Sequence, residues 1–214
     1  MIILAFDTAS ESGGIAIRKE GQTIYETVLY SADGFAHLIF PAIRAALQET
    51  GLSLDQIDCW AAASGPGSFT GIRVGLSAVK GLAEALGKRA AGISNLRAMA
   101  LCGRSDRRAV VKDARRGEVF AAVYDAKGEV VSPEVVAAFP AWLASLHPAP
   151  AEFIAPAGSA FLGNIPFVEA PSNLAPAIAY YAERDAQKGV SMDPAALDAN
   201  YVRRSDAELF WKDP

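Results

Sequence analysis

Ile2 to Phe6 is a short apolar run, partly β-branched and stopped by Asp7, which predicts a buried strand. The polar, glycine-bearing stretch Asp7 to Gly14 follows, and Ile15 to Arg18 then reads as a second strand. Glu20-Gly21 makes a turn into a third strand over Gln22 to Leu29, where Ile24, Glu26 and Val28 mark its alternating character. From Gly34 to Thr50 the apolar residues Phe35, Leu38, Ile39, Ala42, Ile43, Ala46 and Leu47 recur at steps of three and four. This is an amphipathic helix, closed by Gly51. A buried strand over Ile57 to Ala63, a Gly/Pro loop and a helix over Phe69 to Leu86 complete a βββαβα order, which a strand over Ala90 to Ile93 and a helix over Asn95 to Cys102 extend.

The second half repeats this order more loosely. Strands are expected at Ala109 to Lys112, Glu118 to Tyr124 and Glu129 to Val136, with turns at Ala114 to Gly117 and at Lys127-Gly128. Helical residues at Ala141 to Leu146, a strand at Phe153 to Ala155 and a helix from Ala175 to Lys188 follow, and Pro148 to Pro150 and Pro166 to Pro176 read as surface connections. In both halves an Asp, Asp7 or Asp113, ends the first strand. A duplication on this scale with mixed strand directions predicts two related α/β lobes, residues 1–104 and 105–214, with the final helix free to return to the first lobe.

Composition narrows the function. The chain has 214 residues, ample for a buried core, and 51% of them are hydrophobic, which excludes intrinsic disorder. A formal net charge of −4 offers no overall attraction to a polyanion, so any contact with RNA has to be local or shared with a partner. The two cysteines, Cys59 and Cys102, lack metal-ligand or disulfide-framework spacing. The opening apolar run meets Asp7 too early for a signal peptide or a membrane span, and a soluble cytoplasmic protein is expected.

The most informative segment is Ser64-Gly65-Pro66-Gly67-Ser68-Phe69-Thr70-Gly71-Ile72-Arg73, a Gly-rich turn between a strand and a helix. Such a turn can cradle an anion at a helix N-terminus. Thr70 breaks both the Walker A and the dinucleotide-binding patterns, and Pro66 and Thr70 break the nucleophile elbow. The competing structural reading has Gly65 and Gly67 making a tight turn and Ser68 or Thr70 capping the helix. Within that helix Gly71, Gly75, Ala78 and Ala85 share a face, and helix-interior glycines call for close approach by something. That something is either the chain's own core or a partner. The two histidines, His37 and His147, have no metal-binding spacing, whereas Asp7 and Asp113 stand where α/β folds place ligands or where they simply brace a turn. Arg104, Arg107, Arg108, Lys112, Arg115 and Arg116 form the one basic cluster, open to tRNA, an acidic partner or mere solvation.

With these residues assembled the chain resembles the bacterial TsaB (YeaZ) family of tRNA threonylcarbamoyladenosine biosynthesis proteins. The resemblance rests on Leu4-Ala5-Phe6-Asp7-Thr8-Ala9, on Gly65 to Arg73, on Asp113-Ala114-Arg115-Arg116-Gly117-Glu118-Val119-Phe120 and on Tyr201-Val202-Arg203. Phe35 departs from a usual His, Phe120 from a usual Tyr and Ala199 from a usual Pro. The resemblance implies a two-lobed actin-like ATPase (ASKHA, ribonuclease H-like) fold and a noncatalytic subunit that dimerises with and activates the transferase TsaD, with the ATPase TsaE joining the complex and a homodimer open when TsaD is absent. It implies no catalytic residue, no metal and no required cofactor. Residual nucleotide binding would fall on Asp7, Thr8, Gly65, Gly67 and Ser68. The partner surface would fall on Phe35, Leu38, Ile39, Ala42, Gly71, Gly75 and Ala78. An active enzyme of the same fold, ATP-dependent or metallopeptidase-like, is the alternative.

Overall fold

In the computed structural model, which describes residues 1–202, the chain divides into two units. Among the described residues the first comprises Met1–Met99 with Pro171–Ala199, and the second comprises Ala100–Ala170 with residues 200–202. The first boundary therefore lies at 99/100 rather than at 104/105. Residues 171–199, which the sequence division assigns to the second lobe, complete the first. Arg203, the last residue of the terminal motif, lies outside the described residues.

Strands β1 (Ile2–Asp7), β2 (Ser12–Lys19), β3 (Gln22–Tyr30), β4 (Cys59–Gly65) and β5 (Arg89–Ser94) form a sheet in the order β3-β2-β1-β4-β5. β1 is antiparallel to β2 and parallel to β4, so the all-apolar run is the central strand. Helices α1 (Ile39–Thr50) and α2 (Phe69–Leu86) and helix α5 (Ala175–Gln187) lie on opposite faces. Neighbouring β2 residues show it, since successive residues point to opposite sides of a strand. A Cβ on Gly13 would lie 3.3 Å from Phe35 ahead of α1, and one on Gly14 would lie 2.6 Å from Asn173 ahead of α5. Register then assigns Leu4, Phe6, Ile15, Ile17 and Trp60 to the α1/α2 face, and Ala5, Ala16, Ala61 and Ala63 to the α5 face. Small residues let α5 lie close to the sheet; bulky ones fill the space under the other pair of helices. All nine are fully buried.

Two carboxylates on α5 fix it in place. Glu183 accepts from Arg18 Nε at 2.7 Å and from the Gly21 N–H at 3.2 Å, while Asp185 takes a bidentate pair from Arg97 at 2.6 and 2.8 Å. Arg97 also lies 4.4 Å from the centroid of the Tyr181 ring. Beyond α5 the chain rounds the β5 edge: Ala90 N–H donates to Met192 O at 2.9 Å, and Leu197 packs against Gly92.

The second unit repeats the arrangement. β6 (Arg107–Arg115), β7 (Glu118–Asp125), β8 (Val130–Ala138), β9 (Glu152–Pro156) and β10 (Phe167–Ala170) take the order β10-β9-β6-β7-β8. Read from β8, this is the third-second-first-fourth-fifth order of the first sheet. α4 (Phe139–Ser145) covers one face through Phe139, Trp142 and nearby Leu146.

Several expected elements shift. α1 begins at Ile39 rather than Gly34, because Gly34 is in the left-handed region and the Leu38 and Ile39 N–H groups turn back to Phe35 O. Phe35 joins the apolar periodicity only because it is buried independently. Ile57, fully buried, ends the 3-10 turn Leu54–Gln56 rather than starting β4. The short α3 (Asn95–Ala100) stops two residues early. β10, framed by Pro166 and Pro171, falls inside what reads as a connection.

A loop cluster and an exposed helical surface

The loop after β1 and the Gly-rich loop before α2 come together as one hydrogen-bonded cluster. Asp7 is only 2% exposed; its Oδ1 accepts from the Ala9 N–H at 3.1 Å and its Oδ2 from the Leu174 N–H, also at 3.1 Å. Asn95 extends the cluster, with Nδ2 3.5 Å from Asp7 Oδ1 and Oδ1 accepting from the Gly65 N–H at 3.0 Å. Leu174 is the N-cap of α5 and offers no side-chain cap, so Asp7 supplies from a strand end the acceptor and negative charge that a helix N-terminus favours.

Thr8 ties this loop to α2. Its Oγ1 donates to Gly71 O at 2.7 Å, and Ala9 O accepts from the Ser68 N–H at 2.7 Å. Ser68 caps α2, its hydroxyl accepting from the Gly71 N–H at 3.2 Å. A Cβ on Gly71 would collide with Thr8 O, and one on Gly75 would lie 2.5 Å from Thr8 Oγ1. The helix glycines therefore admit the chain's own β1–β2 loop. Asp7, Thr8, Gly65, Gly67 and Ser68 are thus brought together in one cluster held by hydrogen bonds within the chain.

The expected partner surface divides differently. Phe35, Ile39 and Ala42 are buried against the chain's own sheet and Gly71 and Gly75 against Thr8, so these five are corrected from surface to core; Leu38 and Ala78 remain half-exposed. Periodicity marks the inward face of a helix, and the outward aromatics escape it. Phe40 on α1 is 59% exposed, and Phe69 on α2 is 45% exposed with the Arg73 guanidinium 3.6 Å from its ring centroid. α1 packs on β2 and β3 and α2 on β4 and β5, so the two helices cover one sheet face side by side. Each presents an aromatic ring outward from that face.

Asp113 does not reproduce Asp7. It is exposed and its Oδ1 accepts from the Arg115 N–H at 2.8 Å, bracing the β6–β7 turn. His37 and His147 are both exposed, and among the described residues no group of three or more His, Cys, Asp or Glu is placed to hold a metal. Burial pushes the Cys59 thiol up to about 12, against a small opposing pull from Arg89, and raises Cys102 as well. No helix among the described residues is long and apolar enough to cross a membrane.

Two five-stranded sheets with one strand order, each entered by a βββαβ course, make the duplicated fold of the actin-like ATPase class, and the family model described as TsaD, tRNA N6-adenosine threonylcarbamoyltransferase, matches residues 30–180. The structure of YeaZ from Pseudomonas aeruginosa superposes with a TM-score of 0.79 at 25% identity, covering 94% of this chain and 99% of that one. The tRNA threonylcarbamoyladenosine biosynthesis protein TsaB of Bacillus subtilis is 32% identical over 151 residues, 68% of this chain and 66% of its own. An uncharacterized protein of Mycobacterium tuberculosis is 35% identical over 209 residues, 96% of this chain and 93% of its own. The chain belongs to the TsaB (YeaZ) family.

Proposed function

We propose that this chain is a noncatalytic partner subunit in tRNA threonylcarbamoyladenosine biosynthesis, binding TsaD and supporting its transfer of the threonylcarbamoyl group to tRNA. The observation that carries the reading is the outward face of α1 and α2, where a TsaB-family chain exposes Phe40 and Phe69 beside half-exposed Leu38 and Ala78. Exposed aromatics on adjoining helices are the anchors a protein interface uses. The hydrogen bonding of Asp7 and Thr8 within the chain agrees with a structural role for the loops. TsaE joins the same complex in this reading, no cofactor is required, and the protein works in the cytoplasm.

The test is reconstitution of tRNA modification by TsaD with and without this chain, paired with co-elution of the two proteins. Phe40→Asp with Phe69→Asp is expected to abolish co-elution while leaving the thermal transition within a few degrees of the wild type. Unchanged co-elution of that variant removes the proposed surface. ATP or peptide hydrolysis by the purified chain, lost on substituting a residue outside the loop cluster, would establish the enzyme reading instead.

A further inference from the structure

The fold separates the basic residues that the sequence gathers between positions 104 and 116. β6 has nine residues, so its ends stand about 26 Å apart at roughly 3.3 Å per residue. At the near end Arg108 is buried, with Nε and Nη1 donating to the carbonyls of Ser105 and Ala100 at 2.7 and 2.9 Å. Arg107 Nε donates to Pro148 O at 3.0 Å. Those two guanidinium groups satisfy loop carbonyls.

At the far end the Arg115–Glu118 pair closes a two-residue connection, Arg116-Gly117. Arg115, Arg116 and Gly117 are all exposed, with φ of +66°, +57° and +75°. Such tight hairpins favour Asn, Asp or Gly, and a side chain that keeps the left-handed region against that preference is an outlier that asks for a function. The Asp113 carboxylate, accepting from the Arg115 N–H, braces the conformation.

We propose that the Arg115-Arg116 hairpin tip contacts the phosphodiester backbone of RNA. The proposal rests on the reading that the chain works on tRNA within a TsaD complex. Guanidinium forks match phosphate oxygens bidentately, and two on a braced tip engage a uniformly charged polymer without a shaped pocket. Arg115-Arg116-Gly117 carries no apolar side chain for a protein partner to bury, which favours RNA over an acidic protein surface. The chain's net charge of −4 makes this a local contact that acts in the assembled complex.

The experiment measures binding of transcribed tRNA to the complex of TsaD with the full chain, by fluorescence anisotropy over a salt series, for the wild type, R115N/R116N and R115K/R116K. Asn tolerates the left-handed region, so the Asn variant is expected to melt at or above the wild-type temperature. Its Kd is expected to rise about tenfold at low salt, with the slope of log K against log salt shallower by about 2. The Lys variant, which keeps the charge, is expected to recover most of the affinity. An unchanged Kd and slope for the Asn variant overturn the proposal. So does weakened association with TsaD at unchanged RNA affinity, which would assign the tip to a protein. The parent reading fails on a different measurement, the modification rate with and without the wild-type chain.

Discussion

Asp7 shows how one side chain can be legible in position before its partners are. An Asp at the end of a central strand marks a ligand site or a braced turn equally well in sequence. The fold adds Leu174, more than 160 residues away, whose N–H no local pattern connects to it. Asp7→Ala would strand the Ala9 and Leu174 N–H groups, so lost activity in that variant reports on folding before it reports on chemistry. The same holds at Gly75. Gly75→Leu is expected to cost at least about 2 kcal/mol of stability, read as a lowered urea midpoint, because the new side chain must displace Thr8 from α2. A midpoint equal to the wild type would show that α2 yields without cost. Cys59, with its thiol pushed up to about 12, has a thiolate fraction on the order of 10⁻⁴ at pH 8 and is expected to resist iodoacetamide until the protein unfolds. Half-buried Cys102 should label first, and mass spectrometry of the digested protein reads which residue carries the adduct.

At the scale of elements, legibility followed periodicity and failed where burial had another cause. α2 was readable residue by residue from Phe69 to Leu86 because Ser68 caps it and Gly87 ends it. α1 looked five residues too long because Phe35 fills the core from a turn, and β4 looked shifted because Ile57 does the same from the end of a 3-10 turn. α5 was legible as a helix free to return to the first lobe, but not as the element that covers the alanine face of its sheet. Its grip depends on Glu183 and Asp185, carboxylates that sequence alone would leave in solvent. Asp185→Ala leaves the Arg97 guanidinium without its bidentate partner while 17% exposed, and is expected to lower stability by about 3 kcal/mol. Chemical denaturation of this variant beside Asp185→Asn would measure it; a loss below about 0.5 kcal/mol in both would make the pair a surface contact in energetic terms.

At the scale of the molecule, the duplication was readable because each half repeats a buried strand, two hairpin strands and a helix. The unit boundary was less so. A rise in polarity and charge near Gly103 to Arg108 suggested it, yet Arg104, Arg107 and Arg108 belong to the second unit, and the last two bond to its carbonyls. The proposed partner surface was hardest to read, since helical periodicity finds what the chain buries in itself and leaves its outward aromatics unmarked.

The return of residues 171–199 to the first unit has a consequence for biosynthesis. A chain made from its N-terminus completes β1 to β5 early, but the alanine face meant for α5 stays uncovered until the segment carrying Arg97's partner has been made. The sheet of the second unit, β6 to β10, is continuous in sequence and waits for far less. The sheet that leaves the ribosome first is therefore the later of the two to be covered, and while it waits its alanine face is the transiently exposed apolar surface that invites misassociation.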